Sequence, residues 1–235
     1  VLDITNACIG FSDGMIMLSH LIEAGTVQAG IICSGENISK VVHTTCSQLL
    51  GDQAITREKI LQMLPTLTLG CGAVAAVLCH DSISCGGHKF VGGVARSASQ
   101  HHQLCIGNGD FSVGQGEEIA PIMTSDAAQL MIAAAKLGGR AFPDVTAALG
   151  WSKDHVDHVF CHQVGRQVNE AFYNEMGLDF DKDFAIYNRY GNMVSAALPA
   201  ALAIGAEEKN IQPGEKVLLT AFGSGLNTRF LGFEW

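Results

Sequence analysis

The chain has 235 residues, of which 48% are hydrophobic and 16% are charged, and its formal net charge is −9. This length and composition allow a large buried core. The negative charge excludes a nucleic-acid-binding surface, and no apolar stretch is long enough to cross a bilayer. We therefore expect a globular cytoplasmic protein with no nucleic-acid partner and no transmembrane segment.

The eight cysteines form no metal-binding motif. They are scattered through apolar surroundings, and no CxxC pair occurs. A chain of this size needs no disulfides for stability. We expect reduced thiols and no metal site.

The first fifteen residues predict a strand, a turn and the start of a helix. Val1–Thr5 alternates like a strand, and apolar residues at helical spacing run from Met15 to Ala24. Cys8 lies between these two elements, where the amides and positive dipole of a helix N-terminus favour a thiolate and lower the thiol pKa. This is the setting of a nucleophile, although a lone cysteine more often only fills space in a core.

With the buried strand that follows them, the opening strand and helix form a strand–helix–strand unit, which predicts a parallel sheet. A buried strand covers Ala29–Gly35, and a helix covers Thr56–Leu64. Gly70 and Gly72 match the spacing of a dinucleotide-binding fingerprint, in which a helix must follow the glycines. Ala73–Cys79 has the composition of a strand instead. We predict close backbone packing at these glycines, and a nucleotide-binding oxidoreductase is a distant alternative.

The remaining elements predict a second α/β half. A composition shift near Glu117–Pro121 marks a boundary between residues 1–118 and 119–235. The predicted elements around and after it are a strand over Lys89–Ala98, helices over Ser125–Leu137 and Asp144–Leu149, strands over Asp157–His162 and Phe184–Tyr187, helices over Gly165–Met176 and Ser195–Lys209, and a hairpin of Lys216–Phe222 and Leu226–Phe233.

Three polar residues occupy equivalent places in this pattern. Cys8, His162 and Asn192 each lie at or just after the C-terminal end of a predicted strand, which is the edge where α/β sheets bind ligands. A thiol, an imidazole and a carboxamide, with a Gly-Ser-Gly turn at 223–225, suit thioester chemistry. Taken singly, His162 fits a core histidine, Asn192 fits a turn residue and the glycine turn fits a hairpin.

Four stretches together resemble the ketoacyl synthase III-type, Cys-His-Asn branch of the thiolase superfamily. The spacing of 30 residues between His162 and Asn192 (192 − 162) also fits that branch. The four stretches are Asn6–Phe11, Cys161–Val164, Arg189–Asn192 with Ser195–Pro199, and Ala221–Leu226. Within the branch, the sequence most resembles the acyl-CoA condensing enzymes of bacterial olefin synthesis, in the stretches Ser34–Asn37, Leu67–Cys79 and Gly92–Arg96.

The resemblance implies a thiolase-like fold of two α/β halves, with mixed five-stranded sheets in αβαβα layers. It implies that Cys8 is the acylated nucleophile, that His162 and Asn192 stabilise an enolate, and that the amides of Cys8 and Ser224 form an oxyanion hole. No cofactor is implied beyond the substrate, an acyl-CoA or an acyl carrier protein thioester. The implied enzyme is a homodimeric acyltransferase that makes a β-keto product by Claisen condensation.

Two other functions fit the same resemblance. One is a malonyl-dependent 3-oxoacyl-[acyl-carrier-protein] synthase III, and the other is a non-catalytic partner subunit with the same fold. Members of the family also carry a further unit of strands and helices before the nucleophile. We therefore expect that the N-terminal part of the fold is missing from this chain and is supplied by a complementary segment or chain. The family's base, a glutamate in that part of the neighbouring subunit, has no counterpart here.

Overall fold

The computed structural model describes residues 1–107 and 122–235. The elements before the gap are helices α1 (Gly10–Glu23), α2 (Ser39–Gly51) and α3 (Arg57–Met63), and strands β1 (Ala29–Glu36), β2 (Gly72–Cys79), β3 (Lys89–Ser97) and β4 (Cys105–Gly107). The elements after it are strands β5 (Met123–Ser125), β6 (His158–Cys161), β7 (Lys216–Gly223) and β8 (Asn227–Glu234), and helices α4 (Ala127–Leu149), α5 (Arg166–Met176), α6 (Tyr187–Tyr190) and α7 (Ala197–Glu208).

The largest sheet of the described residues has four strands in the order β3-β8-β7-β6. Strand β6 runs parallel to β7, whereas β8 is antiparallel to both β7 and β3. Strands β1 and β2 form a separate antiparallel pair, as do the short strands β4 and β5. The predicted hairpin and the mixed sheet are therefore present. The parallel sheet predicted around β1 is not found in the described ranges.

The elements stack in alternating helical and sheet layers. One face of the four-stranded sheet packs against α4 and α5 in a core that includes Phe172, Phe222 and Phe230. The opposite face packs against α1 and α7 in a second core that includes Ile9, Met15 and Leu219. Side chains of β1 and β2 close that second core from the far side. This order gives the sequence α–β–α–β, and the outer face of β1 and β2 is exposed, with Ile31 at 66% and Val77 at 69%.

Two predicted strands are wrong, and the described sheets have four, two and two strands where five-stranded sheets are expected. Phe184–Tyr187 does not pair with a strand because its backbone bonds to a side chain: Gln163 accepts hydrogen bonds from the amides of Ile186 and Tyr187 and donates to the carbonyl of Phe184. Val1–Thr5 joins no strand of the described residues. A strand needs a partner ladder as well as an alternating pattern.

Helix α4 is continuous where two helical pieces are expected. It runs through Gly138, Gly139 and Pro143 without a break. The two glycines allow close packing, since a Cβ atom at Gly138 would lie 3.0 Å from the Phe222 ring and one at Gly139 would lie 2.8 Å from the carbonyl oxygen of Glu175 in α5. The pair therefore lets α4 pack closely against the sheet and against α5, and it does not end the helix.

The predicted boundary between residues 118 and 119 lies outside the described residues. Strand β3 precedes it in the chain and pairs along its length with β8, close to the C-terminus. The four-stranded sheet therefore takes strands from both sides of that position. Within the two described ranges, no helix combines the length and the apolar character that a membrane span requires.

Candidate active site

Cys8 lies on a tight turn that leads into α1, as predicted. The amide of Ile9 donates to the carbonyl of Asn6 at 3.1 Å, and the amide of Gly10 donates to the carbonyl of Ala7 at 3.2 Å. Ala7 has a φ of +44°, in the left-handed region that L-residues rarely adopt. Backbone conformations of this kind concentrate at functional sites, where the surrounding structure holds them.

The predicted lowering of the Cys8 pKa is wrong. Although part of the residue is exposed, burial of the thiol is the largest influence and raises its pKa to about 12. The electrostatic influence of the nearby Cys105 and Glu36 acts in the same direction, and the backbone amide opposes it only in part. Desolvation of the charged form outweighs the helix N-terminus, so the resting residue is a thiol.

The turn at 223–225 lies directly against the nucleophile turn. A Cβ atom at Gly223 would lie 3.1 Å from the side chain of Ile9, so only glycine allows this approach. The side-chain Nδ2 group of Asn227 donates to Asn6 Oδ1 and to the backbone carbonyl of Ser224, each at 3.4 Å. The structure therefore brings Cys8 and Ser224 together. The use of their amides as an oxyanion hole stays a prediction.

His162 follows β6 and is 3% exposed. Its amide donates to the carbonyl of Thr220 in β7 at 2.9 Å, which fixes its backbone at the end of the four-stranded sheet. Burial lowers the pKa of the imidazole to about 4, so the ring is neutral at physiological pH. Nδ1 is buried without a hydrogen-bond partner. An unpaired lone pair costs less than an unpaired N–H, which favours the tautomer with its proton on Nε2.

Gln163 fixes the backbone next to His162. Its side chain is fully buried, and its amide donates to the carbonyls of Cys161 at 2.7 Å and Phe184 at 3.1 Å. Its Oε1 accepts from the amide of Ile186 at 2.7 Å. One satisfied carboxamide thus joins the strand that carries His162 to the segment that leads toward Asn192.

Asn192 is held by the backbone of the first half. Its amide donates to the carbonyl of Thr68, and its carbonyl accepts from the amide of Gly70, each at 2.9 Å. A Cβ atom at Gly70 would lie 1.9 Å from the carbonyl oxygen of Tyr190, so this contact requires glycine. The close packing predicted for the glycine pair is confirmed. Strand β2 stands where a nucleotide fingerprint would place a helix.

The Asn192 carboxamide has a defined orientation. Its Oδ1 accepts from the amide of Val194 at 3.0 Å. The Nδ2 group therefore carries the donors available to a ligand. Its neighbour Met193 and the neighbour of Cys8, Ile9, belong to the same buried cluster. The elements that carry Cys8, Asn192 and the 223–225 turn thus share one region, and His162 lies at the end of the adjoining strand.

The site also contains a carboxylate to which the sequence analysis assigns no role. Glu36, the last residue of β1, accepts hydrogen bonds from Ser195 Oγ and from the amide of Ser195, the second at 3.2 Å. Ser34 Oγ lies 2.7 Å from Ser195 Oγ. Applied to β1, the rule that chemistry collects at the C-terminal ends of strands would have indicated Glu36. Ser195 carries no such signal, because its partner is distant in sequence.

The described residues contain no group of three or more His, Cys, Asp or Glu side chains arranged to hold a metal ion. His102 lies in a 3₁₀ turn over Ser99–Leu104, where its Nδ1 is 3.0 Å from the carbonyl oxygen of Ser99. This contact is local and does not gather further ligands. For the whole chain, the absence of a metal or cofactor stays a prediction.

The fold defines the class of protein. A histidine-to-asparagine variant of OleA from Xanthomonas campestris superposes on the whole chain with a TM-score of 0.90 and 29% identity, and the match covers 66% of that structure. The chain therefore has the thiolase-like fold that the motifs predict.

Sequence comparison then gives the family. The model for 3-oxoacyl-[acyl-carrier-protein] synthase III matches residues 2–56, and the model for its C-terminal part matches residues 146–235. The acyl-CoA:acyl-CoA alkyltransferase of Shewanella oneidensis is 33% identical over the whole chain, which covers 67% of that relative. The protein of the same name from Xanthomonas campestris pv. campestris is 30% identical over 99% of the chain and is covered to 65%. The chain spans about two thirds of the length of these relatives and belongs to the ketoacyl synthase III branch of the thiolase superfamily.

Proposed function

We propose that this chain carries the active site of an acyltransferase that condenses two acyl thioesters through a Cys8-linked acyl intermediate. The observation that carries the proposal is the shared location of the four predicted groups at one edge of the fold. The Cys8 turn packs against the Ser224 turn, Asn192 is tied to the segment that leads into β2, and the neutral His162 follows β6. Relatives named acyl-CoA:acyl-CoA alkyltransferase support two acyl-CoA molecules as substrates.

In the first half-reaction, the Cys8 sulfur attacks the carbonyl carbon of an acyl thioester. A carbon–sulfur bond to Cys8 forms, the bond to the carrier sulfur breaks, and the proton of the Cys8 thiol ends on the departing carrier thiol. With a pKa of about 12 the thiol is protonated at rest, so proton loss accompanies the attack. Two backbone amides at Cys8 and Ser224 stabilise the oxyanion of the tetrahedral intermediate.

In the second half-reaction, a general base takes a proton from the α-carbon of the second acyl thioester and later returns it to the departing Cys8 sulfur. The resulting enolate oxygen accepts hydrogen bonds from Asn192 Nδ2 and from the protonated nitrogen of neutral His162. The α-carbon then attacks the acyl carbon on Cys8. The new carbon–carbon bond gives a β-keto thioester, and Cys8 leaves and recovers a proton.

Mass spectrometry of the acyl-enzyme tests the proposal. The chain is incubated with acyl-CoAs of increasing length, and the peptide that contains Cys8 is weighed. We expect an adduct of one acyl group on Cys8, loss of that adduct in Cys8→Ser, and no loss in Cys33→Ser, because Cys33 is an exposed cysteine on β1. If no acyl group of any length loads on Cys8, the enzyme proposal is wrong and the non-catalytic partner subunit is favoured.

A malonyl-dependent 3-oxoacyl-[acyl-carrier-protein] synthase III is the second candidate, and the match of both family models favours it. The two reactions differ in one product. Condensation with a malonyl thioester releases one CO₂ per β-keto product, whereas condensation of two acyl-CoA molecules releases none. Measuring CO₂ against product for the acyl-loaded chain, with malonyl-carrier protein or a second acyl-CoA as acceptor, decides between them.

We also propose that the enzyme acts as a homodimer. The exposed apolar residues Ile31 and Val77 on the outer face of β1 and β2 support an assembly on that side. Light scattering during gel filtration should give a mass twice that of the polypeptide. The choice between CoA and carrier protein, and the cytoplasmic location, stay predictions.

A further inference from the structure

Glu36 connects the two halves of the site through one residue. It is half-buried at the end of β1, and its Oε1 accepts from both the amide and the hydroxyl of Ser195. Ser34 supports the same hydroxyl at 2.7 Å. Glu36 and Ser195 are 159 residues apart in sequence. This pair therefore ties the nucleophile half to the loop that carries Asn192.

The residue between Asn192 and this contact region is strained. Val194 has a φ of +52°, which is unfavourable for a β-branched side chain. The amide of Val194 donates to Asn192 Oδ1 at 3.0 Å, and the amide of Ser195 donates to Glu36 Oε1 at 3.2 Å. A strained residue persists only when its surroundings hold it, and here two side-chain acceptors bind the amides of Val194 and of the next residue.

The same geometry sets the direction of the Asn192 carboxamide. Oδ1 accepts from the Val194 amide, and Nδ2 then carries the donors left for a ligand. We propose that Glu36 is a positioning residue of the site, which holds Val194 and Ser195 in place so that Asn192 presents its N–H groups to the substrate. This inference rests on the proposed function, since the substrate it concerns is the acyl thioester.

Glu36 also faces the nucleophile. One cavity of about 790 Å³ is lined by Asn6 and Ala7 of the nucleophile turn and by Glu36, Val194 and Ser195. Burial is the largest cause of the raised pKa of the Cys8 thiol, and the negative charge of Glu36 raises it further. A role limited to holding the loop would not depend on this charge. The reactivity of the Cys8 thiol therefore measures the effect of the charge separately from condensation.

The test separates loading of Cys8 from condensation in the full chain. In Glu36→Ala we expect loading within about threefold of the original chain and condensation reduced about 10- to 100-fold, the loss typical of one charged hydrogen bond. Glu36→Gln retains an acceptor for Ser195 and should lose less. Glu23→Ala, an exposed carboxylate at the end of α1, is the matched control and should behave as the original chain.

Two further variants make the test specific. Val194→Gly removes the strain, so adding Glu36→Ala to it should reduce condensation less than in the original background. In Glu36→Gln, Cys8 should react with iodoacetamide several-fold faster at pH 8, because loss of a nearby negative charge favours the thiolate. This readout needs no acyl transfer, so it stands even if the proposed function fails.

Two outcomes would overturn the inference. One is condensation at the original rate in Glu36→Ala. The other is an equal loss of loading and condensation together with a lower melting temperature, which indicates a role in folding alone. A chain that never loads an acyl group but shows faster alkylation in Glu36→Gln would contradict the proposed function and support the placement of Glu36.

Discussion

The two sheets that enclose the site differ in how completely they are buried. In β7, at the centre of the four-stranded sheet, every residue after Lys216 is buried. In β1, exposed and half-buried residues alternate along the whole strand. His162 belongs to the first environment, with 3% exposure, and Cys8 lies beside the second, where it is half-buried.

This difference matches what each group has to do. Burial in the packed sheet keeps the His162 imidazole neutral well below physiological pH. A thiol that exchanges a bulky acyl group needs access, which a fully packed core would deny. Under the proposed function, the imidazole donor for the condensation step therefore lies in the buried sheet, whereas acyl transfer takes place at its margin.

The largest expected effect separates these two steps. In His162→Ala or Asn192→Ala, loading of Cys8 should persist while condensation falls about 10²- to 10³-fold, the cost of removing one oxyanion donor. Single-turnover measurements of the acyl adduct and of the β-keto product check this. If His162→Ala lost loading as strongly as condensation, the imidazole would act on the thiol, and the division between the two regions would fail.

The second effect concerns pH and the stability of the buried region. The pKa of His162 is about 4 in the folded chain, against an ordinary value of 6.5. The unfolded chain therefore binds the proton first as the pH falls, and the free energy of unfolding should drop between pH 6.5 and pH 4 by about 3 kcal/mol. This group should add no pH dependence above pH 7.

Urea unfolding at several pH values measures this contribution. In His162→Gln the decrease should be smaller by about that amount. His43→Gln, an exposed position in α2, is the matched control and should unfold with the pH dependence of the original chain. An unchanged pH profile in His162→Gln would show that the imidazole is not held neutral by burial.

Much of the buried region could be predicted from the sequence. The hairpin of β7 and β8, the strand that carries His162 and the close packing at Gly70 follow from local patterns and turn residues. The same patterns give a wrong prediction where the backbone bonds to a buried side chain and not to another strand. Phe184–Tyr187 alternates like a strand, but the buried Gln163 takes its hydrogen bonds, and no local pattern indicates that exchange.

The margin of the site was harder to predict. Placing Cys8 before a helix was correct, but the sign of its pKa shift depends on burial by distant residues. Val1–Thr5 has the pattern of a strand without a ladder in the described residues. The contact of Glu36 with Ser195 joins two halves of the chain, and its partners carry no periodic signal. Local sequence patterns do not predict long-range contacts between polar residues.

A third prediction tests the junction between the two regions. In Gly70→Ala, the new methyl group meets the carbonyl oxygen of Tyr190, so the loop that carries Asn192 must move. We expect a loss of about 2 kcal/mol in the free energy of unfolding and weaker condensation. Gly35→Ala is the matched control, because a Cβ atom there meets nothing within 4 Å. Equal losses in both variants would show that the cost comes from replacing glycine and not from the Asn192 loop.

The smallest expected effect concerns the half-buried ion pair under the nucleophile turn. Asp13 accepts from Arg229 Nε at 2.5 Å and from the Asn6 amide at 2.6 Å, with the two charged side chains 20% and 13% exposed. Arg96 and Asp144 form a pair at 2.6 Å whose side chains are 47% and 52% exposed. Chemical denaturation should show a loss of about 1 kcal/mol in Asp13→Asn and less than about 0.5 kcal/mol in Asp144→Asn.

The reason for this difference is solvation. Water screens the exposed pair, and the entropy lost when its side chains are held in one geometry offsets most of the attraction. The Asp13 carboxylate accepts from two fixed donors in a partly desolvated site, so its replacement by Asn leaves both donors with a weaker acceptor. If the two variants lost equal stability, the margin near Cys8 would be as solvated as the outer surface. The difference between the two regions would then not extend to the base of the nucleophile turn.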